Sequence, residues 1–182
     1  QHGLFFSMQA ATELAVIEAA YIRNALNYAR WPKGSYQDQK IPFRLAIAGN
    51  AEALKQSFDM AFNKLNYRIQ DCSVQLLHFP SPATLAKEIS VKGKGTCQAL
   101  FIPKSEKVQL KEWIRVTKDL PILLISDEPD FIKTGGEVAL VPNPQTPKRF
   151  YYIIHSKRLE SKNLRFSLEF LRLRNPVKVI SR

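Results

Sequence analysis

Short apolar runs alternate with amphipathic stretches from position 43 to position 126, and this alternation limits what the chain can fold into. "FRLAIAG" (43–49), "SVQLLHF" (73–79), "CQALFI" (97–102) and "LPILLIS" (120–126) read as buried strands. Between them, "AEALKQSFDMAFNKL", "SPATLAKEI" and "EKVQLKEWIRVTK" read as helices. Asn50 and Ser105 are placed to open two of these helices, and Pro82 suits a first helical turn. Strands separated by helices must be joined by crossovers, so a largely parallel sheet covered on both faces is predicted.

The segments on either side extend this plan. "ATELAVIEAAYIRNALNYARWP" (11–32) repeats apolar residues at helical spacing through Leu14, Ile17, Tyr21, Ala25 and Tyr28. Ala15, Ile22, Leu26 and Ala29 widen the stripe, and Trp31-Pro32 is expected to end the helix. "GSYQDQKIP" reads as a loop, and "YRIQ" is β-like. After position 126 the order changes. "EVALV" (137–141) and "RFYYIIH" (149–155) are strands joined by "PNPQTPK", a link short enough to favour an antiparallel pair. "SKRLESKN" and "RFSLEFLRLR" read as closing helices. The predicted class is therefore α/β. It is a three-layer sandwich with a mostly parallel central sheet, an antiparallel C-terminal strand pair and helices on both faces.

A chain of 182 residues suits one domain, expected over 11–182. Residues 1–10 are expected to be a processed or disordered N-terminus, since "GLFFSMQA" fits the tail of a removed signal peptide. No apolar run approaches the roughly eighteen residues of a membrane helix. The net charge is +11, and from Lys148 to Arg182 ten Lys or Arg face two acids. Such an end suits nucleic acid, anionic lipid, an acidic protein surface, or simply water.

Enzyme chemistry finds little footing. "AGNAEA" after the first strand has one glycine, so neither a dinucleotide fingerprint nor a phosphate loop is present. There is no phosphoacceptor Asp at the end of "ALFIPKS" and no GxSxG. His2, His78 and His155 lack ligand spacing, and Cys72 and Cys97 are either two thiols or one disulfide. The acids Asp127, Glu128 and Asp130 are the best metal candidates, but Pro129 interrupts them and no EF-hand spacing follows. Turn chemistry accounts for them better. Asp127 is expected to cap a short helix, Gly135 to end it in a left-handed conformation, and Gly136 to release the chain into the next strand. No catalytic residue, metal ligand or cofactor site is assigned.

The order of these motifs resembles the YfiR-like family of bacterial periplasmic proteins. The likeness runs through "EAAYIRNALNYARWP", "FRLAIAGN", "CQALFI", "LPILLISDEPDFIKTGGEVALV" and "RFYYIIHSKRLESKNLRFSLEFLRL", roughly residues 16–175. His155 stands where the family often has Asn, and Asn163 where it often has Gly. The resemblance implies a non-enzymatic periplasmic regulator. Its role would be to restrain a membrane-bound diguanylate cyclase by docking on that enzyme's periplasmic sensing domain, so setting cyclic di-GMP and biofilm formation. It also implies a Cys72–Cys97 disulfide and a homodimer. Trp31, Arg149, Tyr151, Arg158 and Arg172 are the expected partner contacts, and redox state or a small ligand the expected stimulus. Two alternatives stand beside it: a stand-alone small-ligand sensor, and nucleic-acid binding through the basic end.

Overall fold

The computed structural model describes residues 2–34, 41–173 and 176–181, with side chains from position 13 onward. Positions 35–40 of the expected loop and Arg174 of the expected last helix lie outside the described residues. Seven strands form one sheet in the order β3-β2-β4-β5-β6-β7-β9. They are β2 (Phe43–Ala48), β3 (Val74–Phe79), β4 (Ala99–Ile102), β5 (Leu123–Ser126), β6 (Val138–Pro142), β7 (Phe150–His155) and β9 (Val177–Ile180). The first five run parallel, β6 and β7 pair antiparallel, and β9 lies parallel to β7. The predicted class is the observed one. A separate two-stranded bridge joins β1 (Ala29–Arg30) to β8 (Arg165–Phe166).

Period-two alternation along the strands divides the interior into two cores. Phe43, Leu45 and Ile47 of β2, Phe101 of β4, and Tyr152 and Ile154 of β7 face the first. Helix α1 (His2–Tyr28) lies on this side with Ile22, Ala25 and Leu26 fully buried, beside α2 (Glu52–Asp59). Ala46 and Ala48, Leu100 and Ile102, and Leu124 face the second core. There they meet Leu85 of α3 (Pro82–Lys92) and Trp113 of α4 (Leu110–Val116). Phe131 of α5 (Phe131–Thr134) completes that side. Because the central strands are buried on both faces and are apolar at most positions, the runs read from sequence coincide with the strands.

Helix boundaries differ where tertiary contacts decide them. α1 begins at His2, so residues 2–10 continue the helix expected from position 11. It ends at Tyr28, before Trp31, because Ala29 and Arg30 are drawn into the bridge with β8. Ser81 and Thr84 form a capping box at α3, with Pro82 in the first turn as expected. At α2 the flanking residue is Ala51, without a side-chain cap, rather than Asn50. The expected last helix is shorter, because Arg165 and Phe166 are extended before α7 (Leu168–Leu171). α6 (Ser156–Ser161) forms as read.

Two expectations need correction. Asp127 does not cap α5: the residue before that helix is Asp130, and Asp127 turns elsewhere. Nor are Cys72 and Cys97 joined. They precede β3 and β4, which are separated by β2, and two strand spacings come to roughly 9–10 Å. A disulfide tolerates a Cα separation of up to about 7 Å. The two residues also pack into different cores, Cys72 in the first and Cys97 in the second.

Gly135 follows α5 at φ +122°, the positive-φ stop foreseen in the sequence. Gly136 is held to glycine for a different reason. A Cβ there would lie 2.4 Å from the Phe131 ring, which is fully buried and has no room to retreat. Gly136→Ala is expected to destabilise the protein by about 1–3 kcal/mol through this overpacking, read as a lower urea midpoint at unchanged slope. An unchanged midpoint would mean that the ring repacks freely.

Candidate functional site

The chain enters the sheet at β2, runs next to β3 on one side, and then crosses β2 to reach β4 on the other. Loops leaving the C-terminal ends of β2 and β4 therefore diverge, which is where open α/β sheets form a crevice. A cavity of about 400 Å³ occupies this place. Ala51 and Pro103 reach it from the loops after β2 and β4, and Asp127 from the end of β5. Leu14, Ala15 and Glu18 of α1 and Leu54 of α2 form the opposite wall. Gly49 shapes the β2 loop at φ +85°, and a Cβ there would lie 2.1 Å from Glu106 Oε1.

The electrostatics of this cavity centre on two carboxyls from distant parts of the chain. Glu18 is only 7% exposed and hydrogen-bonds Asp127. Burial, followed by the Asp127 charge, pushes Glu18 up to about 8, while Lys104 opposes the shift. Asp127 is also raised, chiefly by burial, though its Oδ1 accepts the Lys104 backbone N–H at 2.7 Å. At neutral pH the pair accordingly holds one proton, with Glu18 donating to an ionised Asp127. Two fully charged carboxylates in contact would repel one another in a poorly solvated site.

The remaining acids have other tasks. Glu128 is buried, accepts the Asp130 backbone N–H at 3.3 Å, and pairs with Lys107 at 3.4 Å. Asp130 pairs with Lys107 and Lys133 at the surface. Of the three acids of the "SDEPD" turn, Asp127 therefore turns to the cavity, while Glu128 and Asp130 share Lys107. Among the described residues, no group of three His, Cys, Asp or Glu is arranged to hold a metal ion.

The expected partner contacts differ in burial and in the bonds they make. Trp31 is half-buried, donates from Nε1 to the Gln98 carbonyl at 3.0 Å, and meets Phe43 edge-on. Arg158 donates to the carbonyls of Ile132 and Gly136, tying α6 to the end of α5. Both are structural anchors. Arg149 and Arg172 are exposed, while Tyr151 is half-buried on β7. Tyr151 lies on the strand face opposite Phe150 and Tyr152, whereas α7, before Arg172, packs Phe170 into the first core. Cys97 is a buried thiol pushed up to about 12 by desolvation, so it is a poor nucleophile. Sequence reasoning missed Glu18. Its one signal was an acid set between Ile17 and Ala19 in an otherwise apolar stretch of α1.

The fold is an α/β domain with a cavity at the crossover point of its sheet. The protein belongs to the YfiR/HmsC-like family, whose sequence profile matches residues 15–174. That membership supports a regulatory rather than a catalytic role. No curated protein matches the chain. Among solved structures, it is similar to the ABC domain in complex with L-Trp from Streptococcus pneumoniae. The TM-score is 0.51 at 12% identity, over 75% of this chain and 55% of that one. It is also similar to a conserved domain protein from Vibrio cholerae O1 biovar eltor. Here the TM-score is 0.53 at 8% identity, over 74% and 54%. The chain spans about half the length of these structures, and the likeness is one of fold. Among the described residues, no helix is long and apolar enough to cross a membrane.

The shared proton fixes the sign of a pH effect. Between about 4.5 and 8 Glu18 is protonated when folded and ionised when unfolded. The folded state then binds more protons at this group, so the stability contributed by Glu18 is fully present below pH 4.5 and is lost as pH rises toward 8. The decline from this group is at most about 1.4 kcal/mol per pH unit. Asp127 and the buried Glu137, both raised, add to it in the same direction. Glu18→Gln should flatten the curve between pH 5 and pH 8, as measured by urea unfolding at each pH.

Proposed function

We propose that this protein is a periplasmic regulator that docks on the periplasmic sensing domain of a membrane-bound diguanylate cyclase and holds it inactive. The family match over residues 15–174 carries this reading. Docking by occupancy needs a stable, shaped surface rather than a reacting centre, and a sheet packed on both faces supplies one. The net charge of +11 favours an acidic partner surface and fast association with it. Arg149 and Arg172 remain the contact residues of this reading, because both are exposed.

A second reading, that of a small-ligand sensor, is favoured by the cavity at the crossover point. The two combine readily, with a ligand in the cavity altering the outer surface of α1 and α2. Thiol chemistry has less purchase as the stimulus, because Cys72 and Cys97 lie apart and buried.

Titration against the periplasmic domain of a co-encoded membrane cyclase tests the regulatory reading. Saturable binding is expected, with charge reversal at Arg149 and Arg172 weakening it on the order of tenfold while the melting temperature stays unchanged. Deletion in cells should raise cyclic di-GMP. Absence of binding, together with unchanged cyclic di-GMP on deletion, would refute it.

A further inference from the structure

We propose that the cavity between α1, α2 and the β4 and β5 loops binds a small molecule with an apolar body and a protonated amine, whose ammonium sits on Glu18 and Asp127. The proposal deepens the ligand reading of the cavity and does not depend on which protein is docked. Three observations carry it. The cavity lies at the strand-order reversal and holds about 400 Å³, within the range of roughly 300–1,000 Å³ usual for small-molecule sites. Its walls are largely apolar, with Leu14, Ala15, Leu54 and Pro103 available to cover a hydrocarbon or aromatic body. Two carboxyls from separate elements converge on it, one from α1 and one from the end of β5.

The charge of the ligand follows from that convergence. An anion could draw on the exposed Lys104 alone, and would face Asp127 in a poorly solvated site. A neutral molecule would leave the shared proton where it is. An ammonium offers three N–H donors to carboxylate acceptors, and its charge lets Glu18 ionise as well. Lys104 fills this role only in part: its charge favours the ionised form of both carboxyls, but burial outweighs it and its side chain is exposed. Lys104 and the two carboxyls are the charged groups lining the cavity. Binding of the amine at neutral pH should therefore release the proton held by Glu18. No covalent step is involved.

Calorimetric titration of the whole chain at pH 7 with phenethylamine, phenylacetate and 2-phenylethanol separates the cases. The three probes share a similar apolar body and differ in charge. Saturable binding of phenethylamine is expected, at least about tenfold tighter than either analogue. Proton release is read from its heat in buffers of different ionisation enthalpy. Glu18→Gln and Asp127→Asn should each weaken it by a similar factor with the circular dichroism unchanged. Ser105→Trp, which fills the cavity from the exposed rim, provides the same readout if either variant folds poorly. Tighter binding of phenylacetate would overturn the amine assignment yet leave a ligand site in place. Failure of all three probes at millimolar concentration would overturn the proposal and the ligand reading together, and would leave docking to a cyclase unaffected.

Discussion

A parallel sheet buried on both faces leaves no strand surface for water, and the rest of this protein is arranged around that constraint. Each strand from β2 to β6 needs helical cover on two sides. α1 and α2 cover the first face, and α3, α4 and α5 the second. Once β3 and β4 flank β2 on opposite sides, the loops above them separate, and the crevice follows from topology rather than from any single residue. α1 then does two things. It seals the first core with Ile22, Ala25 and Leu26, and it carries Glu18 to the crevice wall.

Two of the buried acids, Glu137 and Glu18, stand in contrasting situations. Glu137 is 2% exposed, accepts the Leu124 backbone N–H at 2.9 Å, and pairs with Lys162. Lys162 also donates to the Ile122 carbonyl at 3.0 Å, and Arg158 stands nearby with its own carbonyl partners. That arrangement satisfies charge and geometry together, as a buried ion pair must if it is not to cost several kcal/mol. Glu18 instead leans on another acid. It is raised by burial and by Asp127, and its relief comes from a proton or from a cation that enters the cavity. The first acid belongs to the scaffold; the second is left responsive.

Most of the scaffold could be read from residue patterns. Apolar runs marked β2, β4 and β5 because both faces of these strands are buried, and the edge strand β3 showed through Val74, Leu76, Leu77 and Phe79. The positive-φ stop at Gly135 was visible because few other residues tolerate that conformation. β9 was missed because "VKVI" is a short edge strand whose middle residues are exposed, leaving little pattern to detect. The β1–β8 bridge was missed because two residues carry no periodicity, and its pairing spans most of the chain. The candidate site was the least legible part. Asp127 looked like a helix cap by local rules, and only tertiary packing brings it to Glu18. Arg158 looked like a surface cation, yet two carbonyls of the α5 turn hold it.

The regulatory reading and the amine site meet at α1, which borders both the cavity and solvent. A helix held partly by a shared proton has a contact that a ligand or a change of pH can alter without unfolding the sheet. The protonation of Glu18 is therefore the most direct quantity to measure. Selective carbon-13 labelling of glutamate, with the side-chain carboxyl followed by NMR across pH, reports it residue by residue. A midpoint near 8, with a linked displacement of the Asp127 resonance, is the expected result. A midpoint near 4.5, the ordinary value for the group, would contradict the shared proton and with it the responsive character assigned to the cavity.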